Sequence, residues 1–164
     1  MAVVFLGLGS NVDRARNIHF ALTELAKAFG EVQLSPVYES ESVGFEGSDF
    51  INLVVKVETE LDVAALVELL RDIENRAGRD RSLPKFSPRT LDIDVLLVGD
   101  LVGVHGGITL PRDEILKNAF VLLPLSEMYP EGKHPETGET YTALWDSFDK
   151  EKQKLWRVEL KPQT

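Results

Sequence analysis

The chain of 164 residues has no cysteine, only three histidines and no excess of basic residues. Without cysteine it can form neither a disulfide framework nor a thiolate zinc site. Its net charge of −9 argues against a general nucleic-acid-binding protein, because such proteins usually carry a basic face. It has no apolar run of membrane-spanning length and no N-terminal secretion signal. These absences predict a cytoplasmic protein with no membrane or nucleic-acid partner.

The composition is ordinary for a globular protein, with 43% hydrophobic and 27% charged residues. The length suits one domain with a sizeable core, and the sequence has no repeat, low-complexity tract or linker. We therefore expect a single domain over residues 1–164, and a monomer by default.

Two aspartates, Asp92 and Asp94, lie inside an apolar run directly after Arg89. Side chains alternate along a strand, so both carboxylates should share one face, roughly 6.5–7 Å apart. The opposite face, which should point into a core, carries Leu91, Ile93, Val95 and Leu97. Like charges on a half-buried strand need a partner, and Mg²⁺ is held in this way by one or two carboxylates plus substrate phosphates. The segment predicts a phosphoryl-transfer site, with Arg89 as a partner for phosphate.

Basic side chains are crowded just ahead of the aspartates: Arg71, Arg76, Arg79, Arg81, Lys85 and Arg89. A local basic cluster on an acidic protein favours a small anionic ligand over a polymer. A solvated loop of mixed charge would be the preferred interpretation if the aspartate pair were absent.

Hydrophobic periodicity predicts six core elements. They are strands over 3–8, 32–38 and 50–57, helices over 13–30 and 62–78, and the aspartate-bearing strand. Asp13 is the expected cap of the first helix. This order predicts an α+β protein with a ferredoxin-like βαββαβ core, in which helices pack on an antiparallel sheet. Further C-terminal strands and helices are expected from a hairpin over 101–110, an apolar segment over 119–125 and an edge strand over 155–160. His134 is expected to be exposed to solvent.

Residues 88–94, Pro-Arg-Thr-Leu-Asp-Ile-Asp, resemble the signature of the 6-hydroxymethyl-7,8-dihydropterin pyrophosphokinase family of folate biosynthesis. Other segments resemble the family in the same order: Leu8-Gly9-Ser10-Asn11, Asp49-Phe50-Ile51-Asn52, Ile73-Glu74, Leu110-Pro111 and the run Ala119-Phe120-Val121-Leu122-Leu123-Pro124-Leu125. The resemblance implies a 2-amino-4-hydroxy-6-hydroxymethyldihydropteridine diphosphokinase. Such an enzyme transfers pyrophosphate from ATP to the hydroxymethyl group of the pterin and leaves AMP.

The resemblance also implies roles for individual residues. Asp92 and Asp94 would bind two Mg²⁺ ions, and Arg79 and Arg89 would complete the catalytic set by holding the ATP phosphates. Weaker candidates for nucleotide binding lie nearby: Glu74, Arg81, Lys85 and Arg112. Glu74 has two open interpretations, as a support for the arginine loop or as a surface carboxylate on a helix.

The pterin would be sandwiched between Phe50 and Phe120, with its edge bound by Asn52. Strand alternation independently places Phe50 and Asn52 on one face. The resemblance adds backbone contacts from Ser40 and Val43, and Phe86 as an aromatic that seals the closed loop.

The chain departs from the family pattern at two positions. Where the family usually has His-Pro after Leu110-Pro111, this chain has Arg112-Asp113, and it has Asn118 in place of an arginine. Arg112 could reach a nucleotide phosphate in place of the histidine, whereas Asn118 cannot supply the missing charge. Two other functions remain open: a metal-dependent phosphoesterase using the same aspartates, and a non-catalytic ferredoxin-like module that binds a small ligand.

Overall fold

The computed structural model describes residues 2–11, 13–40, 50–77, 91–151 and 153–160. The elements within these ranges are, in chain order, β1 (Ala2–Ser10), α1 (Arg14–Phe29), β2 (Gln33–Leu34), β3 (Val37–Ser40), β4 (Phe50–Thr59), α2 (Val63–Arg76), β5 (Asp92–Val98), β6 (Gly103–His105), β7 (Ile108–Leu110), α3 (Glu114–Lys117), α4 (Ala119–Met128), α5 (Tyr141–Ser147) and β8 (Leu155–Val158). None of these helices combines the length and apolarity that a bilayer crossing requires.

The main sheet is antiparallel and runs β5–β1–β4–β3–β8, with β2 pairing with β4. If β2 and β3 are counted as one interrupted strand, the chain follows the βαββαβ order of a ferredoxin-like fold. The predicted fold class is therefore confirmed. The late edge strand is confirmed by β8, and the predicted hairpin by the separate β6–β7 pair.

Helices α1 and α2 cover one face of the sheet. Alternate residues of β4, from Ile51 to Val57, point into this core together with Ile18 and Leu25 of α1 and Leu66 of α2. The α2 helix begins as predicted, because the Asp62 side chain accepts a hydrogen bond from the Ala65 N–H at 2.8 Å. Asp13 differs: it precedes α1 in the left-handed conformation (φ 44°), and its side chain makes no capping hydrogen bond.

The other face is partly covered by α3, α4 and α5. Leu96 and Leu97 of β5 meet Ile115 of α3 and Leu122 of α4 in this second core. The apolar segment over 119–125 is thus part of a helix that packs on the sheet. The part of this face that the three helices leave open carries the cavity described below.

Two predictions about the strands need correction. Leu97 belongs to the second core because the β1–β5 register shifts between Phe5 and Leu6, which leaves Leu96 as an extra residue. The predicted strand over 32–38 breaks at Ser35-Pro36, since proline cannot donate to a sheet. The Ser35 side chain takes part there by accepting a hydrogen bond from the Val54 N–H at 2.8 Å.

The prediction that His134 is exposed to solvent is also wrong, because only 1% of its surface is accessible. Its Nδ1 atom accepts hydrogen bonds from the backbone N–H groups of Glu136 and Thr137, each at 3.2 Å. The ring edge packs on Tyr141, with centroids 6.3 Å apart. The side chain therefore organises the turn between α4 and α5.

Candidate active site

A cavity of about 390 Å³ opens on the second face of the sheet, where α4 begins. Four neighbouring strands and the α3–α4 region contribute its walls. Its lining residues are Gly7, Leu8, Gly9, Ser40, Phe50, Asn52, Leu53, Val54, Asp92, Asp94, Leu96, Arg112, Glu114, Phe120 and Val121. We call this space the central cavity.

The two aspartates line the central cavity from β5, as strand alternation predicts. In the β1–β5 register, Asp92 lies opposite Gly9 and Asp94 lies opposite Gly7. Glycine has no side chain, so the strand beside the carboxylates keeps its surface clear. The Asp94 side chain is 39% exposed, which leaves it accessible to a ligand.

Asn52 is held in place on the neighbouring strand. It is buried, and its Nδ2 group donates a hydrogen bond to Ser40 Oγ at 3.2 Å. Gly9 lies opposite Asn52 in the β1–β4 register. A Cβ atom at Gly9 would come within 2.9 Å of Asn52 Oδ1, so the absence of a side chain there makes room for the amide.

Arg112 projects from the segment between β7 and α3. Its backbone N–H donates to the Leu96 carbonyl at 3.0 Å, which anchors it to the bulged part of β5. Its Nη2 atom lies 2.9 Å from Glu114 Oε1 and 3.7 Å from Asp94 Oδ1. The Nε–H is buried and has no hydrogen-bond acceptor among the described residues.

The neighbours of Arg112 stabilise its protonated, positively charged form. Burial alone lowers the pKa of the guanidinium, but the hydrogen bond to Glu114 and the negative charges of Asp94, Glu114 and Asp113 together raise that pKa above its ordinary value. Arg112 is therefore a permanent cation beside the aspartates.

A second groove, of about 370 Å³, adjoins the central cavity at the outer edge of β5. Asp94 and Arg112 line both spaces, and Arg71 and Glu74 line only the groove. Glu74 is buried, and its Oε2 atom accepts a hydrogen bond from the Ile93 N–H at 2.9 Å. The interpretation of Glu74 as a surface carboxylate is thus wrong, and it instead holds the backbone between the two aspartates.

The structure brings most of the described candidates together. Seven of them line the central cavity: Ser40, Phe50, Asn52, Asp92, Asp94, Arg112 and Phe120. Glu74 lines only the adjoining groove. The six remaining candidates lie outside the described residues: Val43, Arg79, Arg81, Lys85, Phe86 and Arg89. The functional roles of all these candidates remain predictions.

Gly7 and Glu114 are two of the lining residues that were not predicted as part of the site. Gly7 carried a usable signal, since a glycine inside a strand often marks a close approach of a ligand or side chain. Glu114 carried none, because a carboxylate in the mixed-charge run Arg112-Asp113-Glu114 resembles any surface residue. Its contact with Arg112 joins residues only two positions apart in the chain.

The carboxylates of the central cavity suit a metal that also binds a ligand. Among the described residues, no group of three or more histidine, aspartate and glutamate side chains could hold a metal ion by itself. Asp92 and Asp94 supply hard oxygen donors, and Mg²⁺ commonly completes its coordination with water and substrate phosphates. The donor set therefore fits Mg²⁺ bound together with a phosphate ester.

Fold and site define an α+β protein of the ferredoxin-like class, with a carboxylate-lined ligand cavity on one face of its sheet. Residues 5–130 match the family described as 7,8-dihydro-6-hydroxymethylpterin-pyrophosphokinase, and the chain belongs to this family.

Curated relatives agree with this assignment. A 2-amino-4-hydroxy-6-hydroxymethyldihydropteridine pyrophosphokinase of Aquifex aeolicus is 38% identical over 137 residues, covering 82% of this chain and 85% of the relative. The protein of the same name from Synechocystis is 35% identical over 147 residues, covering 88% of this chain and 75% of the relative.

Solved structures share the fold. A wild-type HPPK-DHPS crystal structure from Plasmodium falciparum superimposes with a TM-score of 0.69 at 17% identity. The match covers 89% of this chain and 43% of that longer chain. The family and its named relatives favour a pyrophosphokinase over a phosphoesterase or a non-catalytic binding module.

Proposed function

We propose that this protein transfers the β,γ-pyrophosphate of MgATP to the hydroxymethyl group of 6-hydroxymethyl-7,8-dihydropterin, giving AMP and the pterin pyrophosphate. This is a step of folate biosynthesis. The observation that carries the proposal is the central cavity itself, in which paired carboxylates meet two aromatic rings and a buried amide. A nucleotide phosphate and a flat heteroaromatic acceptor would need these two sets of groups.

The reaction requires one bond to form and one to break. The hydroxymethyl oxygen attacks the β-phosphorus of ATP, and the bond from that phosphorus to the α,β-bridging oxygen breaks. AMP leaves with the bridging oxygen, and the hydroxyl proton passes to solvent. Phosphoryl transfer depends mainly on positioning and charge neutralisation, so the protein needs no nucleophile of its own.

Asp92 and Asp94 are the proposed holders of the metal, and two Mg²⁺ ions are the proposed number. Bound Mg²⁺ would supply the positive charge that neutralises the triphosphate. The protein's own contribution is to fix these carboxylates, and the hydrogen bond from the Ile93 N–H to Glu74 does this by holding the backbone between them. Glu74 is thus proposed as a positioning residue.

Phe50, Phe120 and Asn52 are the proposed pterin contacts. Phe50 and Asn52 lie on the same face of β4, and Phe120, in the first turn of α4, lines the same cavity. Stacking on an aromatic ring contributes about 1 kcal/mol beyond the burial of area. The buried Asn52 amide would select ligands that can form hydrogen bonds with it, because other ligands would leave it unpaired.

Arg112 is the proposed phosphate ligand among the described cations of the central cavity. Its Nε–H lacks an acceptor within the described part of the chain, so a phosphate oxygen could take that hydrogen bond. Arg79, Arg81, Lys85 and Arg89 are proposed as further phosphate partners on sequence grounds. Ser40, Val43 and Phe86 are likewise proposed on the pterin side.

Several properties of the whole molecule complete the proposal. The 164 residues would act as one pyrophosphokinase domain, as a cytoplasmic monomer whose partners are ATP and a reduced pterin rather than nucleic acid. Light scattering coupled to size-exclusion chromatography tests the monomer directly, since a dimer would elute with twice the calculated mass.

The activity itself is tested by incubating the purified protein with MgATP and the hydroxymethyl pterin and separating the nucleotides. We expect AMP to form only when the pterin is present, in a one-to-one ratio with the pterin pyrophosphate. Formation of ADP, or of inorganic phosphate without pterin, would contradict the proposed transfer and favour different chemistry.

A further inference from the structure

We infer that Gln153 is a positioning residue for the pterin wall of the central cavity. It lies outside that cavity, and its side chain holds the start of α4, which carries Phe120. The inference rests on the proposed function, because the position of Phe120 matters only if the pterin stacks on it.

The Gln153 side-chain amide forms hydrogen bonds with the backbone on both sides of the junction between α3 and α4. Its Oε1 atom accepts a hydrogen bond from the Ala119 N–H at 2.7 Å, and its Nε2 group donates to the Lys117 carbonyl at 2.8 Å. Asn118, the residue between them, has an extended backbone, and its own side chain makes no capping hydrogen bond. The first N–H groups of a helix need outside acceptors. Gln153 supplies one from 34 residues away.

The same short segment also reaches the opposite wall of the cavity. Two residues after Gln153, Leu155 pairs with Ser40 at the end of β3. Ser40 in turn accepts the hydrogen bond from Asn52. Residues 153–155 therefore connect the Phe120 wall to the Ser40–Asn52 wall. This connection fixes the spacing between the Phe120 ring and the Asn52 amide, which would both contact the pterin.

The far end of α4 is held separately. The Tyr38 hydroxyl on β3 donates a hydrogen bond to the Glu127 carboxylate on α4. Burial, followed by the contact with Glu127, raises the pKa of Tyr38 to about 12, so the hydroxyl keeps its proton at neutral pH. With that end anchored to β3, loss of the Gln153 contacts would free mainly the end that bears Phe120.

The test measures pterin and nucleotide affinities separately. Pterin binding is titrated by fluorescence in the presence of Mg²⁺ and α,β-methylene-ATP, whose bridging carbon prevents transfer. We expect Gln153→Ala to raise the pterin Kd by roughly threefold to tenfold, about the effect of one neutral hydrogen bond, because Gln153 acts on the pterin only through the position of Phe120. The nucleotide Kd should stay within about twofold. Gln153→Glu keeps the acceptor for Ala119 but loses the donor, and should give an intermediate Kd.

Gln33→Ala is the matched control, because Gln33 is an exposed glutamine on β2 that lines none of the cavities described above. Its pterin Kd should equal that of the wild type. Amide hydrogen exchange provides an independent readout, since the Ala119 N–H should exchange faster in Gln153→Ala.

Three outcomes would overturn the inference. One is an unchanged pterin Kd in Gln153→Ala, and another is an Ala119 amide that exchanges as in the wild type. The third is an equal weakening of pterin and nucleotide binding together with a lowered Tm, which would mean general destabilisation. Wild-type protein that binds nucleotide but no pterin would instead contradict the proposed function, so the two failures are distinguishable.

Discussion

Three carboxylates and one guanidinium meet among the described residues of the central cavity. Asp92, Asp94 and Glu114 are the acidic residues, and Arg112 the basic residue, among the described residues that line it. Neighbouring carboxylates in a partly desolvated site repel each other unless a cation binds between them. Each residue therefore makes a distinct electrostatic contribution, which single substitutions can separate.

The aspartates are the first such case. Asp94→Asn and Asp92→Asn keep the shape of the side chain but remove the charge that would hold the metal. We expect each to lower kcat by about a hundredfold to a thousandfold, comparable to the loss of one strong electrostatic stabiliser. AMP production at saturating MgATP measures the effect, and circular dichroism should show an intact fold. Asp100→Asn, at the exposed turn after β5, is the matched control; a similar loss of activity there, or full activity in Asp94→Asn, would refute the assignment.

Arg112 is the second case. If its guanidinium binds a phosphate, Arg112→Ala should raise the KM for ATP about tenfold or more, because hydrogen bonds to charged groups are stronger than neutral ones. The KM for the pterin should change much less. Arg112→Lys should recover only part of the loss, since an ammonium group cannot donate in the same forked geometry. Arg16→Ala on the exposed side of α1 serves as the control. An ATP KM that is equal in Arg112→Ala and wild type would exclude this role.

At the scale of elements, β1 shapes the central cavity because two of its residues have no side chain. Its two inner glycines lie opposite the aspartates on one side and opposite Asn52 and Val54 on the other. A Cβ atom at Gly9 would lie 2.9 Å from Asn52 Oδ1, whereas one at Gly7 would make ordinary contacts of 3.5 Å with Leu96. An added side chain should therefore disturb the strand at Gly9 but be accommodated at Gly7.

Substitution of the two glycines tests this difference. Gly9→Ala must displace the Asn52 amide, and we expect it to weaken pterin binding by about tenfold, the scale of one well-placed hydrogen bond. Gly7→Ala is the control and should bind the pterin nearly as well as the wild type. Fluorescence titration of the pterin with both variants measures the difference. Equal affinities would show that Asn52 does not need its observed position.

Features that depend on neighbouring residues in the sequence could be predicted, whereas features that depend on contacts between distant segments could not. Alternation in β4 and the charge pattern of β5 lie in the sequence itself, so the shared face of Phe50 and Asn52 could be predicted. The bulge at Leu96 could not be predicted, because it arises from pairing with a strand about ninety residues earlier in the chain. The contacts of Glu74 with Ile93 and of Gln153 with Ala119 likewise join distant segments.

The whole molecule consists of a sheet with a helical layer on each face, and the layers have different tasks. The α1–α2 layer buries a continuous apolar core. The α3–α5 layer covers only part of its face and thereby forms the central cavity. The stability of this second layer depends partly on buried polar groups, and His134 is the clearest of them.

The hydrogen bonds of His134 make this layer sensitive to acid. Nδ1 accepts from two backbone N–H groups, so the neutral ring must carry its hydrogen on Nε2, and a second proton at Nδ1 would break both contacts. Burial lowers the pKa of His134 below its ordinary value of 6.5, and the nearby Glu136 charge only partly opposes this. The unfolded chain therefore binds the proton more readily than the folded one.

The contribution of His134 to stability is complete above pH 6.5 and is lost as the pH falls from there through the lowered pKa of the folded state. One such group reduces the free energy of unfolding by at most about 1.4 kcal/mol per pH unit. Urea denaturation at pH 7.5 and 5.5 measures the loss. In His134→Asn, the amide oxygen replaces Nδ1 as acceptor without titrating, so the difference between the two pH values should shrink. His105→Asn, on the β6–β7 hairpin, should keep the wild-type difference. If His134→Asn also keeps it, the acid sensitivity arises from the carboxylates of the molecule and not from this ring.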